Sequence, residues 1–466
     1  MSDNPIQDCT VAELQRLLHA RDLSATEVAT SSLDKIEETQ DDYNAFVSWD
    51  RATALQQAAD LDARAARDDF AGPMHGIPVA AKDNYLTHDL PTRAGSLVEH
   101  PRVHSATDAV AVAELRSNGA VIIGKTNMHE WAYGATNEIS SHGRTSNPWD
   151  PTRITGGSSG GSGAAVAARL VPAALGSDTG GSVRIPAAGC GISGIKPTFD
   201  LVDVAGILPL SWSFDVAGPM ARTAADLAIL LQAMSRQTTE VMIARVESAR
   251  IGRLGGPGFE SSPDVDRAVD AAIDEFVSHG ATIDRLGVDD MKLGFDAWKV
   301  ILHAEAASYH SDMLASQRDH YAKGVLTQLE AGRTISATDY LQAQRFRREF
   351  NNRIACLFND VDVLALPTLP ITAPVAGEHH VTIAGEQTTA QDAMTRLPWL
   401  ANFTGLPALS VPCGFGDDGL PVALSLIGKP GTDFELLALG DAYQNTTDWH
   451  LTAPKSASHA TLDGAL

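Results

Sequence analysis

The sequence has little of what would place it in several common protein classes. Only four cysteines occur, widely spaced and without a CxxC pair, so neither a disulfide framework nor a cysteine zinc site is expected. No apolar stretch is long enough to cross a membrane, and the start, MSDNPIQDCT, lacks the basic and apolar segments of a signal peptide. These absences predict a cytoplasmic protein without a membrane partner.

Basic residues are also scarce. The 35 lysines and arginines, of which nine are lysines, are outnumbered by 58 acidic residues, which gives a formal net charge of -23. A charge of this sign repels nucleic-acid phosphates and anionic lipids, so the composition predicts no nucleic-acid partner. An acidic, lysine-poor surface suits high salt, and it also serves ordinary solubility.

The sequence does contain the alternation of helices and strands that is typical of an α/β protein. Its 466 residues are 44% hydrophobic and can bury a large core. "GIPVAAKDN" predicts a buried strand that ends in polar residues, and "TDAVAVAELRSNGAVIIGKTN" predicts a helix, a turn and a strand. Strand, helix and strand recur in "ARIGRLG", "DVDRAVDAAIDEFVSHG" and "ATIDRLG". The pattern predicts one large domain around a mixed β-sheet.

Several short catalytic motifs match without their required context. GxSxG at 157–161 follows turn-forming residues instead of a strand, and GxGxxG at 189–194 lies between Pro186 and Pro197. Pro197 also moves Lys196 out of the helical turn that an SxxK motif needs. "GGSSGGS" lacks the lysine of a phosphate-binding loop, and HExxH is absent. None of these motifs assigns a function.

Three residues remain that no single short motif describes. Lys82 ends a predicted strand, Ser158 lies in a glycine-rich loop, and Ser182 follows "SDTGG". The run "GGSSGGSGAAVAARLVPAALGSDTGGSVRIPAAGCGISGIKPT" resembles the amidase signature family. "HGIPVAAKDN", "GKTNMHEWAYGATNE", "GPMARTAADLAILL" and "GLPALSVPCG" resemble it in the same order, so the similarity spans most of the chain.

The resemblance implies a fold class and approximate boundaries for the domain and its parts. It implies an α/β domain over about 1–460, with a mixed, mostly parallel central sheet covered by helices on both faces. Within it we expect a helical segment at about 1–70, the signature core at about 72–235 and a C-terminal α/β part at about 248–450. Residues 461–466 would form a tail.

The resemblance also implies a catalytic set of serine, cis-serine and lysine. By motif position, Ser182 is the nucleophile, Ser158 is the bridging serine whose peptide bond is cis, and Lys82 is the base. A serine hydroxyl is barely ionised at neutral pH, so its attack requires a group that takes the proton. A neutral lysine can do this through the second serine, and the apolar residues 77–81 would lower the lysine pKa by burial.

Further site residues follow from the same resemblance. Backbone amides in the glycine-containing loop would stabilise a developing oxyanion, and three polar residues would hold this loop by hydrogen bonds. Aromatic side chains are candidates for a substrate pocket. The predicted oxyanion donors are the amides of Thr179, Gly180, Gly181 and Ser182; the supporting residues are Ser159, Asp178 and Arg184; the pocket candidates are Trp131, Tyr133, Trp212, Trp399 and Phe403.

The expected function is hydrolysis of a carboxamide or a related acyl C–N bond through an acyl-enzyme. An aryl or alkyl amide, a carbamate or an ester could be the small-molecule substrate, and the family implies neither a metal nor an organic cofactor. A homodimer is compatible with this function.

Two alternatives stay open. The first is the glutaminase (A-type) subunit of a tRNA-dependent amidotransferase, in which an aspartate before "N-x-x-G-x-P" holds the glutamine amino group. The aligned place, near Thr395, has no aspartate, which favours a free-standing amidase for a less polar substrate. The second alternative is a binding homologue without catalysis, which the intact triad disfavours.

Overall fold

The computed structural model describes residues 5–235 and 246–455; the predicted tail at 461–466 lies outside the described residues. The helices of this part are α1 Val11–Ala20, α2 Ala25–Tyr43, α3 Arg51–Ala65, α4 Val110–Ser117, α5 Gly160–Ala167, α6 Arg184–Gly189, α7 Ala224–Ser235, α8 Pro263–Ser278, α9 Met291–Tyr309, α10 Ser311–Gln317, α11 Lys323–Gly332, α12 Ala337–Leu357, α13 Ala390–Thr395, α14 Trp399–Thr404 and α15 Asp433–Gln444. The strands are β1 Phe46–Ser48, β2 Pro78–Lys82, β3 Val121–Thr126, β4 Ala173–Asp178, β5 Ser193–Lys196, β6 Val216–Ala221, β7 Arg250–Leu254, β8 Thr282–Leu286, β9 Val363–Pro367, β10 His380–Ile383, β11 Glu386–Thr389, β12 Ala408–Phe415 and β13 Pro421–Ile427.

Local sequence signals explain where several elements begin. Ser24 caps α2 by accepting from the Glu27 amide, and the Glu27 side chain accepts from the Ser24 amide, which forms a reciprocal capping box. Lys196 lies in a strand, as Pro197 predicts, so the SxxK match has no helical turn to act from.

In the described part of the chain, eleven strands form the central sheet, in the order β1-β3-β2-β4-β6-β5-β12-β13-β9-β7-β8. The predicted α/β domain with a mixed sheet is confirmed, but "mostly parallel" is wrong for the described strands. Parallel pairing is confined to β3-β2-β4 and β9-β7-β8, and the other neighbours pair antiparallel. Parallel strands need a crossover such as α4 or α8, whereas β12 and β13 are joined by a short turn.

The centre of the sheet is covered on both faces. Every residue of β2, β3, β4, β6 and β13 is buried, which an alternating half-exposed strand would not show. One apolar cluster surrounds β2, β3 and β4, and a second one joins α9, α12 and α14 through large aromatic side chains. The second cluster places α9 beside the carboxyl end of β4. No helix among the described residues is long and apolar enough to cross a membrane.

Candidate active site

Two adjacent parallel strands, β2 and β4, bring the predicted lysine close to the loop that carries Ser182. Strands β2 and β4 pair in parallel, so their carboxyl ends lie at the same edge of the sheet. Lys82 is the last residue of β2, and Asp178 is the last residue of β4. Ser158 lies in the loop before α5, and the peptide bond between Gly157 and Ser158 is cis.

The side chain of Lys82 is buried and surrounded by hydroxyl and carbonyl oxygens. Its Nζ donates to Ser158 Oγ at 2.7 Å, to Ser177 Oγ at 2.8 Å and to the Ser177 carbonyl at 3.4 Å. Burial lowers the pKa of Lys82 to about 7, against the opposing charges of Asp178 and Asp215. A substantial share of this amine is therefore neutral near pH 7, and a neutral amine can accept a proton.

Ser182 lies just beyond β4, where it lines a cavity. Its residue is 7% exposed, and its carbonyl accepts the Ser159 amide at 3.3 Å, which links it to the loop that carries Ser158. The Ser182 hydroxyl makes no hydrogen bond to any described residue. Its oxygen is therefore free to meet a substrate at the cavity wall.

Asp178 and Arg184 form a buried ion pair that organises the loop between them. The guanidinium donates to both carboxylate oxygens, at 3.0 and 3.1 Å, and neither side chain is more than 1% exposed. Burial alone would raise the pKa of Asp178, but Arg184 outweighs it and lowers that pKa to about 2. Asn402 joins the pair by donating to the Asp178 carbonyl and accepting from Arg184. The third predicted supporting residue, Ser159, donates to the Ser177 carbonyl at 3.4 Å.

The amides of the loop differ in what they contact. Gly181 N–H donates to Asp178 Oδ1 at 2.9 Å, at a φ of +120° that favours glycine. The amides of Thr179, Gly180 and Ser182 have no acceptor among the described residues, and these three residues line the cavity. Three of the four predicted oxyanion donors, the amides of Thr179, Gly180 and Ser182, are thus unengaged, whereas the amide of Gly181 already holds a carboxylate.

The cavity has a volume of roughly 140 Å³ and combines apolar and charged walls. Lys299 Nζ and Asp392 Oδ1 form an ion pair at 2.7 Å on one wall, and both side chains remain about one-third exposed. Tyr133 hydrogen-bonds to His303, and Gln328 donates to the Tyr133 carbonyl at 3.2 Å. The remaining lining residues are Ala132, Gly134, Ala135, Leu210, Trp298, Leu302, Gln391 and Thr395.

Most of the aromatic residues that were predicted to line the substrate pocket do not line the cavity. Tyr133 lines the cavity, but the structure does not place the other four candidates there. Trp131 packs against His310 at the core, and Trp399 and Phe403 contact each other within the second apolar cluster. Trp212 lies at the surface, 51% exposed. Large aromatic side chains are used mainly for core packing, and sequence alone does not separate the two uses.

Sequence reasoning missed the residues that α9 and α13 contribute. Lys299 and His303 are four residues apart on α9, a spacing that places two side chains on one helix face and could have suggested them. Asp392 lies one turn before Thr395 on α13, and both residues line the cavity. Position 395 is therefore a threonine, as the sequence shows, and the structure adds a carboxylate, Asp392, that lines the same cavity from the preceding turn.

One cluster in the described part of the chain has the ligand types of a metal site: His88, Asp89 and Asp108. Arg116 already pairs with both of these aspartates, at 2.6 and 3.1 Å. The guanidinium neutralises the carboxylates that a cation would need, and none of the three residues lines the cavity.

Comparisons with known proteins show the family of this chain and structures of similar fold. A family model described as Amidase matches residues 27–437. The A-type subunit of the glutamyl-tRNA(Gln) amidotransferase of Azoarcus sp. (strain BH72) is 39% identical over 493 residues, covering 96% of this chain and 100% of that protein. A structure described as "An unexpected vestigial protein complex reveals the evolutionary origins of an s-triazine catabolic enzyme" is 33% identical with a TM-score of 0.89, covering 94% of this chain and 98% of that one. Another, described as "Crystal structure of amidase", is 30% identical with a TM-score of 0.89 and covers 94% and 99%.

These relatives correct two expectations. They favour the amidotransferase component over the free-standing amidase. The prediction of a small-molecule partner and no nucleic-acid partner is wrong, because the Azoarcus relative is one component of an enzyme named for its tRNA. The net charge gave a wrong prediction about nucleic acid because it averages over the whole surface of one chain. In a multisubunit enzyme the RNA can contact another chain.

Proposed function

This chain belongs to the amidase family, and we propose that it hydrolyses the side-chain amide of a zwitterionic amino acid of the glutamine type, as the A-type subunit of a complex. The observation that carries the substrate class is the ion pair between Lys299 and Asp392 on the cavity wall. An α-amino acid offers a carboxylate to the lysine and an ammonium to the aspartate. A neutral aryl or alkyl amide would leave this pair without a partner in the substrate.

The size of the cavity supports the same substrate class. Its volume of roughly 140 Å³ suits a small molecule, whereas pockets for drug-sized ligands measure about 300–1,000 Å³. The charged pair and the glutamine side chains at 328 and 391 give this small cavity several polar contacts. Such a wall costs desolvation energy, which a polar substrate offsets and an apolar one does not.

In the proposed reaction Ser182 attacks the amide carbon. Its hydroxyl proton passes to Ser158, whose own proton passes to the neutral Lys82 amine. The C–N bond then breaks as a proton returns along the same route to the leaving nitrogen, which departs as ammonia. Water next attacks the acyl-enzyme and gives up a proton to the same relay. This proton returns to the Ser182 oxygen as the acyl C–O bond breaks and the carboxylic acid leaves. No metal or organic cofactor takes part in this sequence.

The contacts of Lys82 support its role as the base. A neutral amine carries two N–H bonds and one lone pair, and Ser177 offers two acceptors, its hydroxyl and its carbonyl. When these accept the two N–H bonds, the lone pair is directed at Ser158 Oγ, 2.7 Å away. The amides of Thr179, Gly180 and Ser182 would stabilise the oxyanion, and Gly181 would act through the Asp178 carboxylate that it holds.

The names of the relatives support a partner chain. The Azoarcus relative is named as one component of a larger amidotransferase, and the structural neighbour at 33% identity is described as part of a protein complex. We propose a cytoplasmic location for this protein, because aminoacyl-tRNA is made there. The partner chains would supply the acceptor for the released ammonia.

The substrate class is tested by measuring ammonia release from glutamine, asparagine, butyramide, benzamide and ethyl carbamate. Glutamine should give a kcat/KM at least about tenfold above that of butyramide, since a charged contact to each end of a zwitterion adds on the order of 1.4 kcal/mol or more. Lys299→Ala and Asp392→Ala should each raise the KM for glutamine about tenfold and leave butyramide unchanged. Lys292→Ala, which removes an exposed lysine of the same helix, serves as the control. Preference for butyramide, or equal loss on both substrates, would reject the assignment.

The partner assignment needs a separate experiment. The purified chain replaces its Azoarcus counterpart in a mixture with the remaining chains of that amidotransferase, Glu-tRNA(Gln), glutamine and ATP. Formation of Gln-tRNA(Gln) that depends on Ser182 supports the proposal. Glutamine hydrolysis without any product on the tRNA would restrict the chain to a different complex.

A further inference from the structure

Trp298, on α9, holds the loop that carries the unengaged amides. Its indole Nε1–H donates to the Thr179 carbonyl at 3.2 Å, across a separation of 119 residues in sequence. Its ring also lies against Gly180, where a Cβ atom would come within 2.3 Å of Cζ2. The side chain is 4% exposed and stacks on Phe295, with ring centroids 5.5 Å apart. Trp298 therefore contacts the peptide group between Thr179 and Gly180 at two places: its indole N–H meets the Thr179 carbonyl and its ring lies against Gly180.

The carbonyl that Trp298 contacts and the amide of Gly180 belong to one peptide group. A donor on the carbonyl oxygen of such a group polarises its N–H, so that the amide becomes a stronger donor in turn. The preceding peptide group, formed by the Asp178 carbonyl and the Thr179 amide, is polarised in the same way. Asn402 Nδ2 donates to its carbonyl oxygen at 2.9 Å. In each of these two peptide groups, a side chain thus donates a hydrogen bond to the carbonyl oxygen.

We propose that Trp298 is a positioning residue that aims and polarises the Gly180 amide toward the oxyanion of the reaction. This inference rests on the proposed function, in which that amide stabilises the negative charge formed when Ser182 attacks. Trp298 acts through the backbone and needs no contact with the reacting atoms. The ring prevents the loop from moving toward α9, and the indole N–H fixes the plane of the peptide.

The variant that separates these roles is Trp298→Phe. It keeps an aromatic ring against Gly180 and removes only the indole N–H. Trp399→Phe is a matched control, because Trp399 lies in the same aromatic cluster and donates its indole N–H to a carbonyl outside the loop, that of Arg396, at 3.0 Å. Equal unfolding midpoints for the two variants would show that any difference in rate does not come from folding.

The readout is covalent labelling of Ser182 by a fluorophosphonate, measured by intact mass over a range of reagent concentrations. Phosphonylation also places negative charge on an oxygen near the attacked atom, so it depends on the same donors as acyl transfer. Loss of a whole oxyanion donor costs about a hundred- to a thousandfold in rate, and weakening one should cost less. Trp298→Phe should lower the maximal labelling rate about tenfold without changing the concentration for half-saturation, and Trp399→Phe should match the wild type.

The outcomes separate the inference from the function beneath it. Labelling of Trp298→Phe at the wild-type maximal rate overturns the role of Trp298 and leaves the serine chemistry intact. A wild-type chain that is not labelled at Ser182 removes both. A change only in the concentration for half-saturation would make Trp298 a contact for the reagent and would also overturn the inference.

Discussion

Lys82 Nζ lies 2.7 Å from Ser158 Oγ, although 76 positions separate the two residues in sequence. The contact forms because β2 ends beside β4 and because the loop before α5 returns to the same sheet edge. Burial lowers the pKa of the lysine to about 7, so this short contact joins a hydroxyl to an amine that can be neutral at physiological pH.

The first prediction concerns the nucleophile. Ser182→Ala should reduce amide hydrolysis by about a thousandfold or more, because the acyl-enzyme can no longer form. Fluorophosphonate should fail to label this variant. Ser278→Ala, which changes an exposed serine at the end of α8, is the control and should retain full activity. Labelling of Ser182→Ala at the wild-type rate would assign the chemistry to another residue.

The second prediction concerns pH. If neutral Lys82 is the base, kcat/KM should be low in acid, rise tenfold per pH unit and level off above the lysine pKa of about 7. The direction follows because protonation removes the lone pair that accepts the proton. Lys82→Arg should stay inactive up to about pH 10, since a guanidinium does not deprotonate there. A flat profile between pH 5 and 9, with chemistry rate-limiting, is incompatible with this base.

A third prediction concerns the charge beside the base. Asp215 accepts the Thr179 hydroxyl at 2.6 Å and the Leu210 amide at 2.9 Å, and its charge raises the pKa of Lys82. Asp215→Asn keeps a side-chain acceptor but removes the charge, so the lysine should lose its proton at a lower pH. Burial raises the pKa of Asp215 itself to about 7, so its charge is only partly present on the acid limb of kcat/KM, which should move down by less than about one pH unit. Movement to higher pH would show that this carboxylate does not act on Lys82.

The fourth prediction concerns stability. Arg184→Ala should lower the free energy of unfolding by about 3–5 kcal/mol, because it leaves the buried Asp178 carboxylate without its counter-ion. Arg267→Ala breaks an exposed pair with Asp417 and should cost less than about 1 kcal/mol. Urea unfolding of both variants measures the difference. Equal costs would mean that Asn402 and the loop amides alone can hold the carboxylate.

The sequence indicated the Ser–Ser–Lys set and the loop around it because these residues lie in long, nearly continuous motifs. It could not indicate Trp298, because nothing local to α9 shows that this side chain meets a loop more than a hundred residues earlier. The aspartate was missed for a related reason. Alignment counts positions, whereas a helical turn moves a side chain by several positions, so Asp392 reaches the cavity from one turn before Thr395.

The strand directions were predicted too uniformly. Helix-containing crossovers gave correct parallel pairs at β2-β3 and β7-β8, but β5-β6 and β12-β13, which follow each other without a helix between them, pair antiparallel. The aromatic residues show a similar limit. Trp399 and Tyr133 are both buried aromatic residues of the second apolar cluster, and only the structure shows that Tyr133 also lines the cavity.

The candidate catalytic residues and the polar wall of the cavity come from separate stretches of the chain. Lys82, Ser158 and Ser182 all lie before residue 200, whereas the charged and amide wall comes from residues between 299 and 392. Substitutions in the later stretch can therefore alter substrate preference while the bond-cleaving groups stay as they are. Gene duplicates of this chain could therefore acquire preferences for new amides through substitutions in α9 and α13. Such duplicates would keep the bond-cleaving residues from the first substitution onward.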